Sequence, residues 1–483
     1  MLQSNVEKRR LTLSLHEECG VYGIYSRTGG QDISHSCYYG LFALQHRGQE
    51  SCGIAVNNDG QITCLKDMGL VGEVFTPDKL QMLKGTIAIG HVRYSTTGAS
   101  TRENAQPLVT HYVKGTISIA HNGNLTNCNT LRRELEDNGA FFQTTVDSEV
   151  IAYMVAGERS RCPSIEEAVR NVMGKIEGGY ALLVMSPRKL IAARDPYGLK
   201  PLVMGDLNGD TVFASETCAL AASGAKFIRD VEPGEIIIAD DDGVHSVMTQ
   251  ARRKAGCIFE YIYFARPDSI IDGVSVYESR IKAGRLLYEQ HPVDADIVIG
   301  VPESGLDAAL GFSQASGIPY VKGFVKNNYI GRTFIKPSQE QRTDAVRIKL
   351  NPIESAVKGK RVVMTDDSIV RGTTIANIVK MLRQAGASEV HVRISSPPFL
   401  FPCFYGTDVP SKEKLIARRY TIEQICEVIG ADSLGYLDVN SLPQMIGSGS
   451  SDKCYCDACF TGDYPNRDTG IDLLEGGGEV LEK

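Results

Sequence analysis

The spacing of apolar and polar positions predicts a strand, a loop and a helix in the C-terminal half of the chain. Val362 to Met364 reads as a strand, and a helix face then recurs at the i, i+3, i+4 and i+7 spacing: Ile375, Ile378, Val379 and Leu382. Gly386 marks the end of this helix, and Val390 to Ile394 forms a second apolar run. A strand, a helix and a parallel strand in this order place the loop at the carboxyl edge of an α/β sheet, where such folds bind ligands.

A second unit of this kind precedes the first. Asp296 to Val301 is an apolar strand of the buried type, and Pro302-Glu303-Ser304-Gly305 leads into a helix that reaches about Ala315. We therefore expect Ser304 to lie at the same sheet edge as Asp366.

In the N-terminal half, short strand-like runs alternate with polar motifs. Cys19 opens the run that ends at Ile24, further strands are predicted at Thr86 to Gly90 and Thr116 to Ala120, and a helix is predicted to begin near Val150. The pattern of apolar and polar residues changes between residues 235 and 254, where a last apolar strand is followed by loops rich in acidic and then basic residues. We place the domain boundary there, with domains at 19–250 and 251–483.

Composition narrows the class of protein. The chain has 483 residues, a net charge of -7, and 42% hydrophobic and 23% charged residues, which favours two soluble domains and argues against a nucleic-acid or membrane partner. No apolar run approaches the roughly 18 residues of a membrane helix. The expected location is cytoplasmic, or organellar if a transit sequence was trimmed. Its 13 cysteines are then thiols, metal ligands or a nucleophile rather than a disulfide framework.

The loop after Met364 has the side chains that a phosphate and a sugar require. Hydroxyls and backbone amides near Gly372 can donate to a phosphate at a helix N-terminus, and the paired aspartates can accept from ribose hydroxyls or bind a hard cation. A helix-capping surface turn is the alternative. The run from Val362 to Thr374 resembles the phosphoribosylpyrophosphate (PRPP) signature of type I phosphoribosyltransferases. The resemblance implies these PRPP contacts: Asp366, Asp367, Ser368, Arg371, Gly372, Thr373 and Thr374.

An ordered set of N-terminal motifs resembles the glutaminase domain of the N-terminal nucleophile amidotransferases. The set begins at Cys19 and includes Gln45 to Glu50, His91 to Gly98, Ala120 to Leu125 and Thr145 to Glu149. Taken singly, each has an ordinary structural explanation, such as a buried cysteine, an ion pair, a hairpin turn or a helix cap.

Glutamine hydrolysis gives these motifs a chemical role. A thiolate needs a base, and removal of residues 1–18 as a propeptide would give Cys19 an α-amino group with a pKa near 7.7–8.0. The resemblance assigns the oxyanion donors to the Asn122 side chain and the Gly123 backbone. Arg93 can bind the substrate carboxylate through two parallel bonds, and Asp147 can pair with its α-ammonium group.

Together the two halves resemble glutamine PRPP amidotransferases, the amidophosphoribosyltransferases that open de novo purine synthesis. This implies an αββα glutaminase sandwich, an α+β fold, followed by an α/β phosphoribosyltransferase domain with a parallel sheet. It also implies that ammonia from glutamine displaces pyrophosphate from C1 of PRPP, with Mg²⁺ at Ser304, Asp366 and Asp367. A flap over the pyrophosphate is expected within 322–349. Purine nucleotide inhibition and a homo-oligomer, a dimer or a tetramer, are further expectations.

Four cysteines match the branch of this family that carries a propeptide and a [4Fe–4S] cluster: Cys257, Cys403, Cys456 and Cys459. Four thiolates would also suit a structural zinc ion, and Cys454 is a close neighbour.

Two other functions share parts of this pattern. A sugar-phosphate amidotransferase shares the glutaminase half but lacks a PRPP loop. A PRPP-sensing regulator shares the loop but has no use for Cys19.

Overall fold

The computed structural model describes residues 19–27, 32–94, 100–250, 252–327, 350–407, 409, 412–447 and 454–466. The predicted propeptide (1–18) and most of the predicted flap (328–349) lie outside these residues. None of the described helices is long and apolar enough to cross a membrane.

The N-terminal domain is built on two antiparallel sheets. Its described strands are β1 (Gly20–Tyr25), β2 (Ser51–Asn58), β3 (Gln61–Met68), β4 (Ile87–Arg93), β5 (Leu108–Tyr112), β6 (Gly115–Leu125), β7 (Gly178–Met185), β8 (Leu190–Arg194), β9 (Val203–Leu207), β10 (Asp210–Ala214), β11 (Lys226–Asp230), β12 (Glu235–Asp240) and β13 (Gly243–Met248). One sheet has the order β11-β9-β10-β1-β4-β2-β3, and the other has the order β13-β12-β8-β7-β6-β5.

Helices cover the outer faces of both sheets. The described helices of this domain are α1 (Ile33–Ala43), α2 (Val71–Val74), α3 (Pro77–Gln81), α4 (Cys128–Asp137), α5 (Asp147–Arg161), α6 (Ile165–Met173) and α7 (Thr217–Ser223), with a 3₁₀ turn at Arg102–Asn104. One core lies between the sheets, where residues such as Val21 and Ile89 meet Leu183. Separate cores lie under α1, α2 and α7 on one side and under α4, α5 and α6 on the other. This is the αββα sandwich that the sequence motifs implied.

The central strands are buried on both faces, which explains their unbroken apolar runs. All six residues of β1 and all eight residues of β7 are buried, because each strand lies between a second sheet and a helix layer. An antiparallel strand with one face in water would instead alternate apolar and polar residues.

The C-terminal domain contains a parallel sheet of order β17-β20-β21-β22. Its described strands are β14 (Gly256–Cys257), β15 (Ile270–Ile271), β16 (Val274–Ser275), β17 (Ile297–Gly300), β18 (Phe324–Lys326), β19 (Leu350–Pro352), β20 (Arg361–Asp366), β21 (Glu389–Ile394), β22 (Ser433–Tyr436) and β23 (Tyr455–Cys456). Its described helices are α8 (Val276–Gln290), α9 (Gly305–Ser316), α10 (Glu354–Val357), α11 (Thr373–Gln384), α12 (Ile416–Arg419), α13 (Ile422–Ile429), α14 (Leu442–Met445) and α15 (Ala458–Thr461). A π-helical turn at Glu260–Phe264 and 3₁₀ turns at Lys412–Lys414 and Val439–Ser441 complete the described elements.

Each face of the parallel sheet carries its own core. Val298 and Val363 pack against α8 and α9, and Ile299 and Met364 pack against α11 and α13 on the opposite face. Adjacent strand residues therefore enter different cores, as a doubly covered sheet requires.

The last strand of the sandwich is β13, and the next described strand begins at Gly256. The proposed boundary at residue 250 falls between these two elements. The predicted helix near Val150 begins three residues earlier, at Asp147, so two acidic residues occupy its first turn. Negative charge in that turn is favourable beside the positive end of the helix dipole.

Buried charges join the two domains. The Arg194 guanidinium binds both carboxylate oxygens of Asp272, at 2.9 and 3.0 Å. Arg47 binds Glu216 within the sandwich and reaches Glu260 of the second domain, at 2.5 Å from its Nη2. The interface between the domains is therefore polar as well as buried.

Candidate active sites

Cys19 lies directly before β1 and beside the end of β4. Gly20 pairs with Val92 in this sheet, so the next residues of β4 reach the thiol. The Cys19 Sγ donates to the Tyr94 carbonyl oxygen at 3.6 Å. Burial raises the pKa of the thiol to about 11, although Arg93, the Tyr94 contact and Lys200 act to lower it and Asp147 raises it further. At neutral pH such a thiol is protonated, so a nucleophile here needs a base or additional positive charge.

Two neighbouring donors lie on β6. Asn122 is fully buried, and neither its Oδ1 nor its Nδ2 bonds any described residue. Gly123 has a φ of +149°, and a Cβ at this position would lie 2.0 Å from the Gly179 carbonyl oxygen. Only glycine fits this close approach. Because Asn122 and Gly123 are consecutive, the backbone N–H of the glycine lies next to the Asn122 residue.

A buried contact between the two sheets aligns these donors with Cys19. His91 of β4 bonds the carbonyl oxygen of His121 on β6, at 2.9 Å from its Nε2. Burial lowers the pKa of His91 to about 3, so this imidazole is neutral at physiological pH. Because the contact lies two residues before both Arg93 and Gly123, it brings the ends of β4 and β6 together.

Asp147 and Arg93 supply opposite charges at this site. Arg93 is 2% exposed at the end of β4, and Asp147 opens α5. Burial alone would raise the pKa of Asp147, but His121 and the Leu125 and Ser148 amides hold it below its ordinary value. The Asp147 carboxylate is therefore ionised, with one oxygen accepting from the Leu125 N–H at 3.0 Å. A buried cation and anion beside a thiol match the two charges of an amino acid.

The predicted phosphate loop connects β20 to α11. Gly372 has a φ of +83° and precedes the first turn of the helix, where Thr373 is exposed and Thr374 is half-buried. A Cβ at Gly372 would lie 2.6 Å from Cδ1 of Ile416. The glycine therefore allows both the left-handed turn and the close packing of α12, and it presents the amides of the helix N-terminus to an anion.

Asp366 ends β20 and Asp367 follows it, and both are buried. Burial, followed by the charge of Asp367, raises the pKa of Asp366 well above its ordinary value. Burial also raises the pKa of Asp367, although hydrogen bonds from Ser304 and Ser368 and the charge of Arg280 oppose that change. Two adjacent buried carboxylates of this kind gain stability when a cation binds them.

Ser304 joins the same sheet edge, as the sequence predicted. Its hydroxyl donates to one carboxylate oxygen of Asp367, and the Ser368 hydroxyl donates to the other. A Cβ at Gly305 would lie 2.4 Å from the Thr365 carbonyl oxygen, so the turn before α9 packs directly on β20.

The four predicted cluster cysteines line one mostly apolar cavity. Cys257 of β14 lies opposite Cys456 of the neighbouring parallel strand β23. The cavity wall comprises Leu199, Lys200, Cys257, Phe259, Phe399, Cys403, Tyr405, Thr407, Val409, Cys456, Ala458, Cys459 and Tyr464. Cys454 is not among these lining residues. Burial, and then the charges of Cys257, Cys403 and Cys456, raise the pKa of Cys459. The four thiols are therefore close enough to interact.

Within the described residues, no three histidine, cysteine, aspartate or glutamate side chains converge as ligands of a single metal ion. The Tyr405 N–H also donates to the Cys403 Sγ at 3.4 Å. Backbone donors to sulfur are characteristic of protein sites that tune iron–sulfur clusters.

The segment 403–407 connects this cavity to the glutaminase site. Its Phe404 carbonyl oxygen accepts from the Asn124 Nδ2 at 2.9 Å. A Cβ at Gly406 would lie 3.1 Å from the Lys200 Nζ and 3.4 Å from the Gly123 carbonyl carbon. Sequence reasoning gave no role to Lys200 and did not predict the contact between Asn124 and Phe404, because no local motif relates positions so distant in the chain.

Comparisons with known proteins agree with both halves of this geometry. The model of a glutamine amidotransferase domain matches residues 91–222. An Arabidopsis thaliana chloroplastic amidophosphoribosyltransferase is 49% identical over 96% of this chain and 82% of its own length. A Methanocaldococcus jannaschii amidophosphoribosyltransferase is 50% identical over 92% of this chain and 97% of its own length. The structure of Bacillus subtilis glutamine PRPP amidotransferase complexed with ADP and GMP has a TM-score of 0.87 and 47% identity, and covers 92% of this chain and 97% of that one.

Proposed function

Because this chain belongs to the amidophosphoribosyltransferase family, we propose a role in its reaction for each residue of the two sites. The enzyme transfers ammonia from glutamine to C1 of PRPP and forms 5-phosphoribosylamine, pyrophosphate and glutamate, the first step of de novo purine synthesis. The observation that best supports the glutaminase half is the unbonded Asn122 amide next to the Gly123 N–H at a buried thiol.

In the glutaminase step, the Cys19 thiolate attacks the amide carbon of glutamine. The Gly123 N–H and the Asn122 Nδ2 donate to the oxygen that becomes negative. The amide nitrogen then takes a proton from the α-ammonium group of Cys19 and leaves as ammonia as the thioester forms. Water then releases glutamate and restores the thiol. Arg93 binds the substrate carboxylate and Asp147 binds its ammonium group. Removal of residues 1–18 gives Cys19 the α-amino group that receives the thiol proton.

In the transferase step, the loop from Ser368 to Thr374 holds the 5′-phosphate of PRPP. This loop includes Arg371, Gly372 and Thr373, and its amides lie at the positive end of α11. Asp366 and Asp367 accept from the ribose hydroxyls and orient C1 toward the arriving ammonia. Ammonia forms the C1–N bond, pyrophosphate leaves with the electrons of the C1–O bond, and the new amine gives up one proton to solvent.

Mg²⁺ would be held by Ser304, Asp366 and Asp367. The raised pKa values of the two carboxylates and their shared hydrogen bonds with serine fit a cation site of oxygen ligands. When bound, the ion would neutralise charge on the pyrophosphate.

A [4Fe–4S] cluster would be held by Cys257, Cys403, Cys456 and Cys459. The four thiols line one cavity, as the ligands of a single cluster must. Its contribution would be structural, because it would join β14, β23 and the segment 403–407.

Regulation, assembly and location follow as further proposals. One solved relative is described as complexed with ADP and GMP and another as an allosteric regulatory enzyme of purine biosynthesis. These descriptions support inhibition of this enzyme by purine nucleotides. We also propose a homo-oligomer, a dimer or a tetramer. A cytoplasmic location is proposed, with an organellar one as the alternative, because two Arabidopsis relatives are named chloroplastic.

The test is made on full-length protein that has been purified without oxygen. Intact mass shows whether the chain begins at Cys19, and iron and sulfide assays on the same sample are expected to give about four of each per chain. PRPP-dependent release of pyrophosphate is then measured with glutamine or with ammonium chloride. We expect the C19S variant to lose only the glutamine reaction. Pyrophosphate release that depends on neither nitrogen source would contradict the proposal.

A further inference from the structure

Gln106 is a buried amide that bonds the backbone of β6 directly before Asn122. Its exposed fraction is 3%. The main-chain N–H of His121 donates to the Gln106 Oε1 at 2.8 Å, and the Gln106 Nε2 donates to the His121 carbonyl oxygen at 3.3 Å. The same carbonyl oxygen accepts from the His91 Nε2 at 2.9 Å. A side chain that bonds both main-chain groups of one residue reproduces the hydrogen bonds of a neighbouring strand.

This contact lies where the pairing between β5 and β6 ends. Leu108 and Ile119 are the last pair of the two strands, and in the same register Gln106 would oppose His121. Beyond Ile119, no strand among the described residues pairs with β6 on this side, because β5 is the edge strand of its sheet. The side chain of Gln106 therefore takes the place that its main chain would have in a longer strand.

The Gly123 N–H is directed toward the same open edge of β6. In an antiparallel ladder, residues two apart direct their N–H and C=O groups to the same side, so Gly123 faces the same way as His121. Tyr180 of β7 lies opposite Gly123, and its N–H and carbonyl oxygen bond Asp195 at 3.3 and 2.9 Å. The Gly123 N–H therefore points away from β7.

Side chains bond the amides on both sides of Gly123. Before it, the His121 N–H bonds Gln106, and after it the Leu125 N–H donates to the Asp147 carboxylate at 3.0 Å. These two bonds fix the edge of β6 around the amide that the proposed reaction uses. Asp147 already has a role in binding the substrate, whereas Gln106 has no part in the proposed reaction steps.

The backbone around Gln106 is fixed by the other sheet. A Cβ at Gly53 of β2 would lie 2.3 Å from the Gln106 carbonyl oxygen and 3.0 Å from the Cδ of Pro107. The Lys66 Nζ of β3 donates to the Ala105 carbonyl oxygen at 2.5 Å. The Gln106 side chain therefore extends to β6 from a backbone that is packed against β2 and β3.

We propose that Gln106 is a positioning residue of the glutaminase, whose side-chain amide holds β6 so that the Gly123 N–H and the Asn122 amide face the substrate oxygen. This rests on the proposed function, since it assumes that these two groups stabilise the oxyanion. Gln106 acts through the His121 backbone and exchanges no proton. Donors that are already in place when charge develops stabilise it without the cost of reorganisation.

The test compares Q106L and Q106M, which remove the amide at similar side-chain size, with the matched control N57L. Asn57 is also a fully buried amide that bonds the backbone. It accepts from the Gly60 N–H at 2.8 Å and donates to the Pro187 carbonyl oxygen at 2.8 Å. It pairs with the first residue of β4, whereas the active site lies at the other end of that strand.

Three quantities are measured for each protein: kcat and KM for glutamine hydrolysis, the inhibition constant of glutamate, and the rate of Cys19 alkylation by iodoacetamide, followed by peptide mass spectrometry. Glutamate reports on the contacts of Arg93 and Asp147. Alkylation reports on the thiol, because iodide is displaced without an oxyanion. Only glutamine hydrolysis requires the oxyanion donors.

We expect Q106L and Q106M to lower kcat about 10- to 100-fold, because the donors are misplaced rather than lost. The KM for glutamine, the inhibition constant of glutamate and the alkylation rate should stay within about threefold of the parent values. N57L should keep all of these values. Pyrophosphate release with ammonium chloride should match the parent in each variant, which shows that it is folded, and Q106M replaces Q106L if the latter does not fold.

A kcat for Q106L or Q106M that equals that of N57L overturns the inference while the proposed function stands. Equal losses in kcat, glutamate affinity and alkylation rate also overturn it, because the whole site would then have moved. If the parent protein itself forms no glutamate from glutamine, the proposed function fails and the role of Gln106 fails with it.

Discussion

Asn122 is a complete amide in the protein interior with neither polar atom bonded to a described residue. Such a group costs about 1–3 kcal/mol of stability. Proteins retain a buried polar group without a hydrogen-bond partner where a ligand will supply that partner. Asp366 is a second example, because its burial next to Asp367 disfavours the charged form that a cation would need.

The first residue-scale prediction concerns Asn122. We expect N122A to lower the rate of glutamine hydrolysis by about 10²–10³, because one of two oxyanion donors is lost. The urea midpoint should stay unchanged or rise, since an unsatisfied amide is removed. N138A is the control, because Asn138 is exposed and bonds only within the end of α4. A glutamate-release rate like that of N138A would remove Asn122 from the oxyanion site.

The second residue-scale prediction concerns pH. The pKa of Asp366 is raised in the folded protein, so the folded form holds a proton that the unfolded chain has released. Stability of the protein without Mg²⁺ therefore falls as pH rises above the ordinary pKa near 3.8 and through the folded pKa. We expect D366N to reduce this loss and to raise the apparent melting temperature at pH 7 by roughly 2–4 °C.

Melting curves with and without Mg²⁺ check that prediction. The parent should gain stability from the ion and D366N should gain little. The control D296N lies at the opposite edge of the sheet, where Asp296 pairs with Arg361, and it should keep the response to Mg²⁺. Equal responses of all three proteins would contradict a Mg²⁺ role for Asp366.

At the scale of elements, the turn between β20 and α11 determines where the phosphate can bind. Gly372 directly precedes α11 in a left-handed conformation, and Ile416 of α12 occupies the space that a side chain would need. The absence of a side chain at Gly372 therefore allows the loop after β20, the start of α11 and the neighbouring α12 to pack closely together.

Gly372 gives the element-scale prediction. G372A should lose about 1–3 kcal/mol from the left-handed backbone and raise the KM for PRPP about tenfold, because the clash with Ile416 moves the amides that face the phosphate. Gly359 has a similar φ of +73° with nothing within 4 Å of a Cβ. G359A should therefore share the loss of stability but keep the KM. Equal KM values for both variants would contradict the assignment of this loop.

At the scale of the whole molecule, buried ion pairs hold the two active sites in one arrangement. Arg194 lies on β8 of the glutaminase domain and Asp272 lies in the second domain. Burial would raise the pKa of Asp272, but Arg194 and Lys254 hold it below its ordinary value. The Arg194–Asp272 pair therefore stabilises the folded protein when the pH is above the ordinary pKa of aspartate. This stabilisation is lost as the pH falls through the lower pKa that Asp272 has in the folded protein.

We expect D272N to cost about 3–5 kcal/mol, because it leaves the buried Arg194 charge without its carboxylate. Looser domain contact should also increase the glutamine hydrolysed per pyrophosphate released. Parallel assays of glutamate and pyrophosphate measure this ratio, and urea unfolding measures stability. D268N is the control, since Asp268 is exposed and pairs with the neighbouring Arg266. A ratio equal to that of D268N would mean that the pair does not couple the sites.

The sequence by itself determined the features that depend on local patterns. Apolar spacing located β20 and α11, and the motifs of Cys19, Asn122 and Asp366 predicted which residues carry the chemistry. These features can be predicted locally, because the helix and strand periods, the positions of glycine and the types of side chain can all be read from short stretches of the sequence.

Tertiary structure decided how those groups act. Some contacts join residues that no short sequence pattern relates. Examples are the contact of Cys19 with Tyr94, the position of Lys200, and the placement of Cys257 opposite Cys456 on neighbouring strands. The pKa changes also follow from burial and from charges that arrive on other elements. Charge and desolvation act through space, so they are fixed only when the distant parts of the chain have packed together.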